Sequence, residues 1–164
     1  MAQTKWLKLS KRRALEVARL LKKARLLMND GGAHWIQGAL VRGTGKHTKY
    51  CSIGGLTASV DRRGKNVTQV VNDVVGVTIK TGLSPTKQNI LRDATILLAE
   101  TINGGPILAI PGDIWGEGET ALQVAEETII EFNDGCEGWE DVEYAFKRAE
   151  NIARKLAEGR SPRR

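Results

Sequence analysis

The sequence predicts a mainly α fold. It reads as a single compact globular domain over residues 1–158, with five to six helices, a small strand or hairpin element near residues 34–50, and a basic disordered tail over residues 159–164. Three observations predict it. Apolar residues recur at three- and four-residue spacing in several long windows, the period of a helix packed on one side. Clusters of Gly, Asn and Pro punctuate those windows where helices have to stop. The chain has 164 residues, 41% hydrophobic and 27% charged, enough for one real core and little more.

The first element is the strongest. Ser10 can cap a helix in which Ala14, Val17, Ala18, Leu21, Ala24 and Met28 form one stripe, and Asn29-Asp30-Gly31-Gly32 tolerates the left-handed backbone that ends it. Residues 34–41 are short and apolar and run into Arg42-Gly-Thr-Gly-Lys46, a strand entering a turn. Residues 50–60 read as a second short strand or, better, a helix that tolerates Gly54 and Gly55 for close packing. Asp61-Arg-Arg-Gly-Lys65 is a polar basic loop. Asn66 then caps a helix through Val67, Val70, Val71, Val74 and Val75, whose spacing outweighs the poor helix propensity of valine. Gly82-Leu-Ser-Pro85 is a break, and Thr86 starts a helix through Ile90, Leu91, Ala94, Leu97 and Leu98. Residues 104–118 are irregular, with a loop or short strand around 107–110. Helices over 119–132 and 139–156 follow, separated by Asn133-Asp134-Gly135.

Composition excludes several classes. Eighteen Gly and four Pro are too few for a collagen-like or mostly disordered chain. No apolar run approaches the roughly 20 residues that cross a bilayer, and Met1-Ala-Gln-Thr-Lys-Trp6 lacks a signal-peptide apolar region, so a cytoplasmic protein without membrane partners is expected. The net charge of +6 conceals a segregation. Residues 1–99 carry eighteen Lys/Arg against five Asp/Glu, residues 100–150 carry two against thirteen, and residues 151–164 carry five against one. Either packed helices neutralise one another, or opposite faces stand in solvent and attract partners. Cys51 and Cys136 fit no disulfide or zinc pattern and read as free thiols.

Three segments carry a resemblance. Trp35-Ile-Gln-Gly-Ala-Leu40, Tyr50-Cys-Ser-Ile-Gly-Gly-Leu56, and Phe132-Asn-Asp134 followed by Trp139-Glu-Asp-Val-Glu-Tyr-Ala-Phe-Lys-Arg-Ala149 occur in that order. The arrangement resembles a family of small uncharacterised proteins of actinobacteria and their phages, a domain of unknown function. Its members carry Trp-x-Gln-Gly-Ala, Tyr/Trp-Cys-x-x-Gly and aromatic-Asn-Asp motifs. The match covers about a quarter of the chain, Phe132 stands where members often have Trp, and residues 57–130 have no counterpart. The resemblance implies a helical fold and a phage-type or actinobacterial accessory protein, acting in the bacterial cytoplasm, and no activity. Trp35, Gln37, Gly38, Cys51, Gly54, Asn133 and Asp134 are its motif residues. Read physically, Asn133-Asp134 closes one helix while the Asp side chain accepts from amides of the turn before the next. Gly54 and Gly55 admit Trp35 or a neighbouring helix to the backbone. Cys51 at a helix start has its thiol pKa lowered by the helix terminus.

Chemical constellations were weighed against structural roles. Cys51 as nucleophile, His34 or His47 as base and Asn133 or Asp134 as orienter would suit acyl transfer, but nothing in the spacing demands it. His34, His47, Cys51 and Cys136 lack paired metal-ligand spacing, so no metal and no cofactor is implied. Arg42-Gly-Thr-Gly-Lys46 lacks the spacing of a phosphate loop and suits a hairpin better, leaving small-molecule or nucleotide binding a minor alternative. Basic residues offer more. Lys11, Arg12, Arg13, Arg19, Lys22, Lys23 and Arg25 crowd the first helix, Arg62, Arg63 and Lys65 a loop, and Arg160, Arg163 and Arg164 the tail. Such clusters bind phosphate without sequence readout, yet aromatic residues are only 5%, which disfavours stacking on single strands. The acidic residues Glu126, Glu127, Glu131, Glu137, Glu140, Asp141 and Glu143 face them from the last two helices, in position to support a homo-oligomer or engage another protein. The expectation is a non-enzymatic binding module engaging a host protein, with nucleic-acid binding through the basic first helix as the alternative.

Overall fold

A computed structural model describes residues 6–60, 83–107 and 120–160. Ser10 caps the first helix as the sequence predicts, its hydroxyl accepting from the Arg13 amide at the head of α1 (Lys11–Met28). The helix gives way to Asp30, Gly31 and Gly32, all with positive φ. At Gly32 the glycine is also sterically favoured, because a Cβ there would come within 2.6 Å of the Trp139 side chain.

The strand expected over residues 34–41 is far shorter. Only β1 (Val41–Arg42) is strand, paired antiparallel with β2 (Lys49–Tyr50), and Trp35 adds a single parallel bridge to Tyr50. The cause lies in Gln37 and Gly38. Gly38 has φ +71°, which interrupts the extended run, and both residues turn towards another helix instead of a strand. The Gly43–Gly45 stretch and a 3₁₀ turn at Gly45–His47 close the hairpin.

Residues 50–60 resolve in favour of a helix, α2 (Ser52–Val60), buried on nearly every side. Both glycines are needed. A Cβ on Gly54 would overlap the Leu40 carbonyl oxygen, and one on Gly55 would press on Met28 Sδ at 2.7 Å. The close neighbours are therefore the 34–41 segment and α1; Trp35 is not among them.

Ser84 caps α3 (Pro85–Asn103), with Pro85 in the first turn where a missing N–H costs nothing, and Gly104 ends it in the left-handed conformation. Thr120 and Gln123 form a reciprocal capping box at α4 (Ala121–Gly135). The final helix, α5 (Trp139–Ala157), buries Trp139, Val142, Ala145, Phe146, Ala149 and Ala153 along one stripe. Gly159 and Arg160 complete its C-terminus: their amides return to Leu156 O and Lys155 O at 3.0 and 2.9 Å. The helix expected over residues 66–75, the loop of Arg62, Arg63 and Lys65, most of the 104–118 stretch, and residues 161–164 lie outside the described residues.

The centre of the bundle is α3. Every residue from Asp93 to Thr101 is buried, because α1, α2, α4 and α5 all pack on it. A helix enclosed this way has no polar face, so its polar side chains are satisfied internally. Thr95 and Thr101 donate to Leu91 O and Leu97 O, Asp93 meets Arg13 at 2.9 Å, and Glu100 accepts the Leu7 amide at 2.7 Å. The chain is thus mainly helical, one compact domain with one small antiparallel sheet among the described residues.

Gly54→Ala decides between two opposed effects. Helix propensity favours Ala by about 1 kcal/mol, while overlap with the Leu40 carbonyl forces the backbone apart at about 1–3 kcal/mol. Net destabilisation in urea unfolding is expected; a more stable variant would refute the close approach.

Candidate functional site

The three motif segments meet at one buried side chain. Asn133, 1% exposed, sits in the last turn of α4. Its Oδ1 accepts three hydrogen bonds: from Trp35 Nε1 at 2.9 Å, the Ser52 amide at 3.0 Å and the Ser52 hydroxyl at 2.8 Å. Its Nδ2 donates to Ile36 O at 3.0 Å. Ser52 is the first residue of α2, so its amide is one of the donors a helix leaves without an internal partner. Asn133 thus caps α2 from a distant part of the chain. Only a primary amide supplies acceptor and donor together in this way.

Gln37 makes the reciprocal arrangement. Its Nε2 lies 3.0, 3.2 and 2.9 Å from the carbonyl oxygens of Asn133, Asp134 and Cys136, acceptors left over at the end of α4. Gly38 N donates to Asp134 Oδ1 at 2.9 Å. This corrects the expectation for Asn133-Asp134: both lie within the helix, and Asp134 accepts from the 34–41 segment, not from the turn that precedes α5. Trp35 also packs near Trp139, ring centroids 6.3 Å apart. A small cleft of about 170 Å³ opens beside this clasp, lined by residues that include Leu40, Cys51 and Ile130.

Cys51 behaves unlike the nucleophile considered for it. It caps α2, its Sγ accepting from the Gly54 amide at 3.5 Å, and it is 5% exposed. Burial pushes the thiol pKa up and outweighs the lowering by the Gly54 and Ile53 amides, while the Asp134 carboxylate raises it further. The expected lowering is thus reversed, because a helix terminus favours the thiolate less than desolvation disfavours it. His34 Nδ1 pairs with Thr48 O at 3.1 Å, and His47 is exposed on the hairpin. Among the described residues neither imidazole hydrogen-bonds Cys51, and no three His, Cys, Asp or Glu side chains gather as metal ligands. Cys136 is held at about 11 by burial and by Asp141, so it too stays a thiol at neutral pH.

The basic residues divide by helical phase. Arg13 turns inward to Asp93 and Glu16, which removes it from the set expected to face a partner. Arg25 reaches Glu143 at 3.6 Å and Glu150 at 3.4 Å on α5; Glu150 is also gripped by Arg154 at 2.7 Å and Glu143 by Lys147 at 2.9 Å. Part of the charge segregation is thus neutralisation between packed helices. Lys11, Arg12, Arg19 and Lys22 remain exposed on the opposite side of α1, together with Leu26 at 54% and Leu27 at 36% exposure, while Lys23, also exposed, donates to Ser59 O of α2 at 2.8 Å. Helical phase already places Leu26 on this face, four residues after Lys22 and seven after Arg19.

A second surface feature is a groove of about 630 Å³ where α3, α4 and α5 converge, with Ile102, Phe132 and Tyr144 among its apolar lining and Glu137, Asp141 and Arg148 among its charged residues. Nearby on α4, Glu126 is partly buried, which raises its carboxyl pKa to about 7. Among the described residues no helix is long and apolar enough to cross a membrane. No family model, curated protein or solved structure matches the chain.

Two outcomes test this geometry. Asn133→Ala strands three donors and should cost about 3–5 kcal/mol in urea unfolding, against about 1 kcal/mol for Ser52→Ala; equal losses would show that Asn133 is not the hub. Glu126 has a folded pKa above its ordinary value of 4.5. The folded state therefore holds its proton more tightly, and the stabilisation it gives is complete below pH 4.5 and lost as pH rises to about 7. Glu126→Gln should flatten the pH–stability profile across that window; an unchanged slope would exclude the assignment.

Proposed function

We propose that the protein is a non-enzymatic binding module, an accessory protein of the phage or actinobacterial type, whose outer α1 face engages an acidic surface on a host protein. The observation that carries this reading is the composition of that face. Four cations, Lys11, Arg12, Arg19 and Lys22, stand exposed along one side of a helix whose other side is locked into the core, and Leu26 lies among them at 54% exposure. Charge steers association and fixes orientation. An exposed leucine gains by leaving water only against an apolar counterpart, and burying it is worth roughly 1.5–3 kcal/mol.

That leucine also ranks the alternative. The same cations would neutralise phosphates and bind nucleic acid by counterion release, but a phosphate backbone gives Leu26 and Leu27 nothing to pack against. An enzymatic role finds less support, since both cysteines have raised pKa values and Cys51 serves as a helix cap.

Capture from host lysate on the immobilised full chain tests the reading. A defined protein should be retained equally with and without nuclease, and Arg19→Glu with Lys22→Glu should weaken its binding about tenfold or more at ~150 mM salt. Retention that disappears with nuclease, or retardation of DNA at low salt that this double variant abolishes, would favour nucleic acid. Retention indifferent to the double variant would remove α1 as the docking face.

A further inference from the structure

The exposed basic face of α1 has an opposite within the same chain. Glu127, Glu131 and Asp134 recur along the outward stripe of α4, and Glu137, Glu140 and Asp141 continue it across the junction into α5; all six are exposed. Among the described residues, none of these six forms an ion pair with Lys or Arg, whereas Glu143 and Glu150 on the inner side of α5 are both paired. The groove beside Glu137 and Asp141 adds an apolar floor of Ile102, Phe132 and Tyr144. One molecule therefore displays a basic face with a leucine in it and an acidic face with an apolar groove in it. Both are exposed at once, so neither covers the other within a single chain.

We propose that the acidic α4–α5 face receives the basic α1 face of a second copy of this chain. The inference rests on the reading of α1 as a docking face and adds a second surface, within this chain, that the face can engage. Lys and Arg of the incoming helix meet carboxylates that pair with no cation among the described residues, and Leu26 enters the groove over Phe132 and Tyr144. Because the two faces differ, two copies close a two-fold pair if each fills the other's groove, and otherwise the contact is heterologous and extends into rings or open chains. Either assembly leaves the inner ion pairs of Arg13 and Arg25 untouched.

Sedimentation of the full chain tests it, with two charge-reversed proteins. One carries Arg19→Glu and Lys22→Glu, the other Glu131→Lys and Glu137→Lys. All four positions are exposed, and circular dichroism verifies that both variants stay helical. The wild type at ~100 μM should associate at ~20 mM salt and come apart at ~0.5 M, where screening shortens the reach of charge to a few Å. Each variant alone should associate at least about tenfold more weakly. An equimolar mixture of the two should associate again, because each then meets a face of opposite sign. A wild type that is monomeric at low salt overturns the inference, as does association indifferent to either reversal or a mixture that stays monomeric. If the Arg19→Glu, Lys22→Glu protein loses partner capture but keeps self-association, this inference falls and the docking reading stands. If it loses self-association but keeps partner capture, α1 docks a second copy and not the host protein, so the host-protein reading falls and this inference stands.

Discussion

The side chain of Asn133 is the constraint on which the rest of the architecture depends. From α4 it ties together two other segments, accepting from Trp35 and Ser52 and donating to Ile36. Through Ser52 it supplies the start of α2, a helix too short and too glycine-rich to be stable alone. Through Trp35 and Ile36 it holds the irregular segment that threads between α1 and the hairpin. That segment answers by capping α4 through Gln37 and Gly38. Two helix ends thus satisfy each other through a loop with hardly any regular structure of its own. The arrangement also explains the glycines, since Leu40 can bring its carbonyl against α2 only where residue 54 has no Cβ.

Charge is organised on the same principle, with an inner set consumed by packing and an outer set left over. Arg13 and Arg25 flank the buried stripe of α1, so each reaches a carboxylate on a neighbouring helix. Pairs this sheltered hold register between helices, because removing one partner strands a partly buried charge. Arg12, Arg19 and Lys22 lie on the far side of the helix and reach no other helix. The overall figure of +6 is therefore a poor guide to behaviour. What matters is that Glu143 and Glu150 of α5 are answered, while the exposed carboxylates of α4 and the α4–α5 junction find no cation among the described residues.

Much of this was legible in the sequence where the signal is local. Ser10, the Ser84-Pro85 pair and the left-handed residues after Met28 set helix limits through neighbours a few residues away. The inward turn of Arg13 and Arg25 was legible too, by phase: Arg13 lies four residues before Val17 and Arg25 four after Leu21, both fully buried. Counting charges without phase hid it. The clasp was not legible as a structure, because its hydrogen bonds join residues 81 to 99 positions apart. The three segments could be singled out, but nothing in their spacing tells that they meet, or that Gln37 ends one helix while Asn133 begins another. The strand expected over residues 34–41 fails for the same reason: apolar content suggests extension, and the demand of α4 for donors bends the chain away.

The way the interior is satisfied bears on how the surface can act. The thiol of Cys51 is committed to a helix cap, the Asn133 amide to four partners, and the hydroxyls of α3 to their own backbone. Groups so engaged have little capacity left to bind or transform a ligand, and the proposed contacts accordingly use the outer faces. Those faces are borne on rigid supports. α1 is pinned by α2, α3 and α5 along its inner side, so its outer cations and leucines are displayed on a backbone that is already ordered. Association then costs side-chain freedom but no folding, and a preordered helix retains more of its contact energy as affinity than a segment that must fold on binding. The same packing that satisfies the interior holds a basic helix face and an acidic one on an ordered frame, as the proposed contacts require.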